Sequence, residues 1–186
     1  NKGGTFWDRF VVRVAPAENN LPYREASRIN IHRDTWGTNL YHQINWWAPV
    51  SNVEKKNTMI FYPDYFDVPV KNTTSTWDLN IYLANRKKGD FSYPSAPQLK
   101  EELPSNIKKI AVTIKPGEIL CFSGAHLHSS SKEKSENTRI SFEIRTICEN
   151  DINSSVQAPN VDCDLQWKFP KIFKKINDNS PLKITS

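Results

Sequence analysis

The chain has 186 residues, 38% of them hydrophobic and 11% aromatic with six Trp, which supports one domain with a buried core and excludes wholesale disorder. A net charge of +5 and a pI near 9.1 arise without an arginine cluster, which ranks nucleic acid below small molecules as a partner. No apolar run approaches the roughly 18 residues of a membrane span, so no membrane association is expected.

Three cysteines, Cys121, Cys148 and Cys163, show no CxxC spacing. They predict neither a disulfide framework nor a cysteine zinc site, and fit a reducing, cytoplasmic setting. Asn72-Thr73-Thr74 and Asn153-Ser154-Ser155 match the glycosylation sequon but are read as chance tripeptides in an Asn/Ser-rich chain. The first residue is Asn rather than Met, so the sequence is expected to be part of a longer one.

In chain order, the β-branched run 10–14 predicts a first strand, and YHQINWWAPV over 41–50 a second that ends at proline. Residues 58–62 predict a third, stopped by Pro63. The segment 64–105 reads as an insertion over one end of the sheet. It has a helix over 76–84, with Trp77, Ile81 and Ala84 as its apolar stripe, and a second near 97–103. Strands follow over 107–114, broken at Pro116-Gly117, then 118–122 and 138–148. The tail from 149 is expected to be irregular, with a basic, aromatic-rich stretch at 167–175 that is solvated and partly docked. Short strands separated by Pro, Asn, Gly and Ser clusters predict an all-β sandwich or barrel with minor helices. One domain spans 1–186, its core over about 10–148 and its tail over 149–186.

The chain has four histidines, His32, His42, His126 and His128. His32-Arg33-Asp34 sets an imidazole and a carboxylate two residues apart, on one face if the backbone is extended. A histidine from a distant strand would complete a facial triad of two His and one carboxylate, which leaves three coordination positions open. On strand 138–148, alternation puts Arg139, Ser141, Glu143 and Arg145 on one face and Ile140, Phe142 and Ile144 on the other. A face so charged calls for a ligand or internal ion pairs if buried. On strand 41–50, Gln43, Asn45 and Trp47 share a face that could line a pocket.

Residues 116–146, PGEILCFSGAHLHSSSKEKSENTRISFEIRT, resemble the phytanoyl-CoA-hydroxylase-like (PhyH) branch of the Fe(II)- and 2-oxoglutarate-dependent oxygenases. The matching features are Pro116-Gly117 before a strand ending at Phe122, a histidine six residues after that Phe, and Arg139 after ten intervening residues. Glu118 stands where the family usually has Asp, a conservative departure. The resemblance covers about 10–147 and implies a double-stranded β-helix, the jelly roll of cupin-like proteins. It implies iron held by His32, Asp34 and His128, and 2-oxoglutarate held by Arg139, Ser141 and, more loosely, Ser130. The rationale for arginine is geometric, because a guanidinium makes a bidentate pair with the distal carboxylate that lysine cannot.

The implied cofactors are Fe(II), 2-oxoglutarate and O2, and the implied reaction is hydroxylation of an unactivated C–H bond of a small molecule, releasing succinate and CO2. With Asp34 present, hydroxylation is expected over halogenation, while desaturation or ring closure would use the same triad. His126 is expected beside the metal or facing substrate, with Gln43, Asn45, Trp47 and Arg145 also in the pocket, and His42 structural or at the surface. A positive pocket built from Arg13, Arg24, Arg28, Arg33 or Arg145 would suit an anionic substrate. Two rival readings stay open: a cupin-like metal protein acting without 2-oxoglutarate, and a non-catalytic module binding an anionic partner through its basic tail.

Overall fold

The computed structural model describes residues 3–17, 29–90, 92–133 and 135–184. Among them are nine strands: β1 (Thr5–Trp7), β2 (Val11–Ala15), β3 (Ile44–Pro49), β4 (Met59–Phe61), β5 (Ile110–Ala111), β6 (Leu120–Ser123), β7 (His128–Ser130), β8 (Arg139–Cys148) and β9 (Lys174–Lys175). Three short α-helices accompany them, α1 (Thr35–Thr38), α2 (Leu79–Lys87) and α3 (Glu149–Asn153). None is long and apolar enough to cross a membrane.

The ten-residue β8, rich in Ile, Phe and Thr, is the axis of the larger sheet. One edge pairs antiparallel with β3, and the other pairs with β2 over Arg139–Glu143 and with β1 over Thr146–Cys148. β6 pairs with β3, and β9 with β1. The smaller sheet runs β5-β4-β7, also antiparallel, and an isolated bridge from His32 to His128 extends it past β7. The larger sheet thus reads β2-β8-β3-β6 and the smaller His32-β7-β4-β5, with successive segments crossing between them. This is the double-stranded β-helix, a jelly roll, with all-β architecture and minor helices. Trp47, Met59, Phe61, Val112 and Phe122 fill the space between the sheets.

The helical expectations needed revision. α2 starts three residues later than the 76–84 helix, where the Asp78 carboxylate accepts from the Asn80 and Ile81 amides and caps it. Trp77 is buried ahead of the helix, while Ile81 is 48% exposed, so the expected apolar stripe is absent. No helix forms over 97–103. There the Gln98 carbonyl and Lys100 amide bond across to 71–73, and Leu99 bridges Asn72. Of the strand expected over 107–114, only Ile110–Ala111 pairs, at the sheet edge. The sequon residue Asn72 is buried, its amide nitrogen donating to the carbonyls of Val70 and Asp162. The three cysteines are free.

The tail is mostly irregular yet closely docked. Phe173 and Leu182 join Phe6, Leu40 and Ile147 in one buried cluster, so the core extends beyond residue 148. Phe173 is fully buried. Phe173→Ala should therefore cost about 3–5 kcal/mol of stability, read as a lower urea midpoint. A loss well under 1 kcal/mol would mean the tail adds nothing to the core.

Candidate metal centre

His32, Asp34 and His128 meet at the inner end of a cavity between the two sheets, their ligand atoms all within 4.8 Å of one another. The backbone route differs from the extended one expected. His32 is a single bridge residue beside β7, and Asp34 already has helical dihedrals (φ −64°, ψ −29°) as the residue that starts α1. The chain therefore turns into a helix between the two, and both side chains still face His128.

Each imidazole is fixed in one tautomer. His32 Nδ1 lies 2.8 Å from the Asn30 carbonyl and His128 Nδ1 lies 2.9 Å from the His126 carbonyl. A carbonyl can only accept, so each Nδ1 carries the hydrogen and each Nε2 presents a lone pair. These Nε2 atoms stand 3.5 and 3.7 Å from Asp34 Oδ1 and Oδ2. Such spacing is too wide for strong hydrogen bonds and suits three donors around a common ion.

The surroundings push the pKa values of Asp34 and His128 downward. Burial alone would raise the Asp34 pKa, but His32, His128 and Arg145 outweigh it and hold the carboxyl well below its ordinary range. Burial, reinforced by His32, lowers His128 to about 4 against a weaker opposing pull from Asp34, so its imidazole is neutral at physiological pH. Binding a divalent ion here displaces no proton from either group near pH 7.

A relay of neutral side chains orients Asp34. Asn45 Nδ2 donates to Asp34 Oδ2, Gln43 Nε2 donates to Asn45 Oδ1 at 2.9 Å, and Thr38 Oγ1 donates to Gln43 Oε1 at 3.2 Å. Gly124 makes room for the relay, because a Cβ there would lie 2.8 Å from Gln43 Nε2. Gln43 thus stays behind the cavity wall, whereas Asn45 and Trp47 line it.

The cavity encloses about 500 Å³, counting its open mouth. Arg139 lies on its β8 wall, and Ser141, two residues along the same strand, is fully buried without lining the cavity. Arg139 Nε and Ser141 Oγ have no hydrogen-bond partner among the described residues. The Arg139 guanidinium sits 5.4 Å from the Trp47 ring centre, and burial together with nearby Arg13 lowers its pKa to about 10, so it remains a cation. Two buried polar groups are thus left unmatched on one face of the strand, a state that is costly unless a ligand completes it. Ser130 also lines the cavity, its Oγ accepting from the Ile29 amide at 3.2 Å.

The other arginines divide. Arg13 forms a two-point pair with Glu143, at 2.8 and 2.6 Å, and Arg145 pairs with buried Asp8 at 2.5 Å; both arginines face the cavity. Of the five arginines that could have faced a pocket, Arg33 turns away from the cavity into the protein, and Arg24 and Arg28 lie outside the described residues. His126 does not line the cavity, although its carbonyl holds His128 Nδ1 from behind. It packs on Phe66, ring centres 4.6 Å apart, outside the cavity lining, because its Nδ1 is drawn to the Ser123 carbonyl. His42 is half-buried away from the cavity. The sequence reading missed the partners Asp8, Thr38 and Asp162; isolated polar residues far from any motif carried no signal for them.

No family model and no curated protein sequence matches this chain. Solved structures match its fold at low identity. EvdO2 from Micromonospora carbonacea var. aurantiaca, complexed with 2-oxoglutarate, superposes with a TM-score of 0.51 at 9% identity over 78% of this chain and 52% of its own. The non-heme alpha ketoglutarate dependent carbocyclase SnoK from nogalamycin biosynthesis gives 0.50 at 11% identity over 94% and 64%. The non-heme monooxygenase ThoJ, in its apo form, gives 0.50 at 12% identity over 77% and 46%. This chain therefore spans 46% to 64% of the length of these three structures.

Asn45→Ala tests the relay. Freed of its partner, Asp34 should lose its fixed orientation, and Fe(II) affinity should fall about 10- to 100-fold with the fold intact, as read by anaerobic titration. Unchanged affinity would confine Asn45 to lining the wall.

Proposed function

We propose that this chain is a non-haem Fe(II)- and 2-oxoglutarate-dependent dioxygenase that hydroxylates an unactivated C–H bond of a small-molecule substrate. Its iron ligands are His32, Asp34 and His128, and its 2-oxoglutarate residues are Arg139, Ser141 and Ser130. The observation that carries the reading is the pairing of a three-donor cluster with a buried arginine on the same cavity wall, Arg139, whose Nε is unmatched, as is the Ser141 hydroxyl two residues along the strand. The donor set of two imidazoles and one carboxylate is the one that suits Fe(II) with open positions. A cupin-like protein working without 2-oxoglutarate would leave Arg139 and Ser141 buried with nothing to bind.

Iron and 2-oxoglutarate, when bound, supply the oxidation of a C–H bond by O2 with release of succinate and CO2. Every other task falls to the chain. Asn45 donates to one oxygen of Asp34 and orients the carboxylate that would help hold the ion. Arg139 and Ser141 fix the far carboxylate of 2-oxoglutarate and so set the orientation of its other end. Trp47, Met59 and Phe122 wall the cavity with apolar surface, lowering the local dielectric and excluding water. An anionic substrate is the narrower proposal, since Arg13 and Arg145 line the cavity but an acid would compete there with Glu143 and Asp8. We place the protein in the cytoplasm, in keeping with its three free cysteines.

The test is anaerobic addition of Fe(II) and then 2-oxoglutarate, watching for the weak visible metal-to-ligand charge-transfer band of the chelate. The band should appear in the wild type and vanish in Asp34→Ala. Its absence with iron demonstrably bound would sink the co-substrate assignment. Arg139→Ala should raise the 2-oxoglutarate concentration needed for the band about 10- to 100-fold while Fe(II) affinity stays near that of the wild type. A normal 2-oxoglutarate response in that variant would move the carboxylate site elsewhere.

A further inference from the structure

Arg33 stands between two of the proposed ligands, yet its side chain leaves the cavity and is only 2% exposed. Its guanidinium donates to the carbonyls of Ala125 at 2.6 Å, Tyr65 at 2.7 Å, Val68 at 2.9 Å and Phe66 at 3.3 Å, and its Nε donates to Asp162 Oδ2 at 3.1 Å. Asp162 is buried as well. Its Oδ1 accepts from Trp36 Nε1 at 2.7 Å, and its Oδ2 also accepts from the Val70 amide at 3.1 Å. One planar cation therefore ties together the turn bearing His32 and Asp34, the turn just before His128, the 65–70 segment and the C-terminal tail.

Two features give this knot a bearing on the metal centre. Ala125 precedes His126, whose carbonyl holds His128 Nδ1, so Arg33 grips the turn that aims His128. Trp36, bonded to Asp162 and fully buried, lies in α1 directly after Asp34. Both halves of the donor set are thus referenced to the same ion pair. Stability alone is a poor reason for it, because an apolar pair of similar volume often serves a core as well as or better than a buried salt bridge.

We propose that Arg33 and Asp162 are positioning residues of the metal centre, holding the His32/Asp34 turn and the His128 turn at the spacing that three-donor coordination requires. The proposal rests on His32, Asp34 and His128 being the iron ligands. It makes a residue of the C-terminal tail part of the apparatus that sets metal geometry. It also separates the duties of the ligand turn, with flanking side chains for the ion and the central one for the scaffold.

Co(II), whose visible spectrum reports coordination geometry, is the probe. Asp162→Asn keeps the volume of the carboxylate and removes its charge. Arg33→Lys keeps the charge and removes the fork that reaches several carbonyls. Both variants should bind Co(II) about 10- to 100-fold more weakly than wild type and with an altered spectrum. Loss of melting temperature alone, with native Co(II) affinity and spectrum, would overturn the proposal and leave the pair structural. Failure of the wild type to bind Co(II) would instead sink the ligand assignment itself. The wild type offers a second measurement that needs no variant. Zn(II) binding should slow hydrogen exchange at the Val70 amide, which donates to Asp162, and an unchanged Val70 rate would also overturn the proposal.

Discussion

The rest of the structure depends on keeping the partly buried Asp34 carboxylate ionised. A lone carboxylate removed from water would take up a proton rather than pay the desolvation cost. Here two imidazole edges, the Asn45 amide and the field of Arg145 together outweigh burial. Each compensating group comes from a different part of the chain: His32 beside β7, Asn45 on β3, His128 on β7 and Arg145 on β8. The jelly roll is the means of bringing them together, since its two sheets face each other and short strands of both reach the same cavity. Ligands on paired backbone are also held more firmly than ligands on free loops.

The same constraint explains why β8 is polar inside and apolar outside. Arg139, Glu143 and Arg145 line the cavity, with Ser141 buried on the same face, whereas Ile140 is 38% exposed on the opposite face. A strand with this alternation would ordinarily turn its isoleucines to the core. The inversion is tolerable because most of the buried charge is matched within the wall, Arg13 by Glu143 and Arg145 by Asp8. Arg139 alone is left over, with Ser141 beside it.

Much of this was legible in the sequence wherever a motif joined residue type to spacing. His32-Arg33-Asp34 and the alternation of 138–148 pointed to the donor cluster and to the polar face of β8, because local spacing bears on which side chains share a face, and the interval from Phe122 through His128 to Arg139 did so through the family resemblance. The route of the backbone was less legible. Asp34 reaches the site by starting a helix, and nothing in the tripeptide separates that from an extended strand. Helix 97–103 failed because its polar backbone is bonded across to 71–73, a long-range competition that periodicity cannot register. The tail read as irregular by composition and is so in hydrogen bonding, but two of its apolar residues, Phe173 and Leu182, are enough to dock it.

Arg33 is the most instructive of these. Placed between two of the donor residues, it was one of five arginines that could have faced the cavity, and the sequence did not separate them. In a turn, however, a residue flanked by two inward side chains points outward, and outward from this site lies protein rather than solvent. A guanidinium there must find several acceptors, and it finds four carbonyls and a carboxylate from segments that no local pattern connects. The ligand turn thus faces two polar environments. The inner one holds donors poised for a cation, and the outer one holds a cation saturated with acceptors. Because the two share a single stretch of backbone, the inner geometry cannot relax without straining the outer, which is how a site assembled from such short strands keeps its spacing.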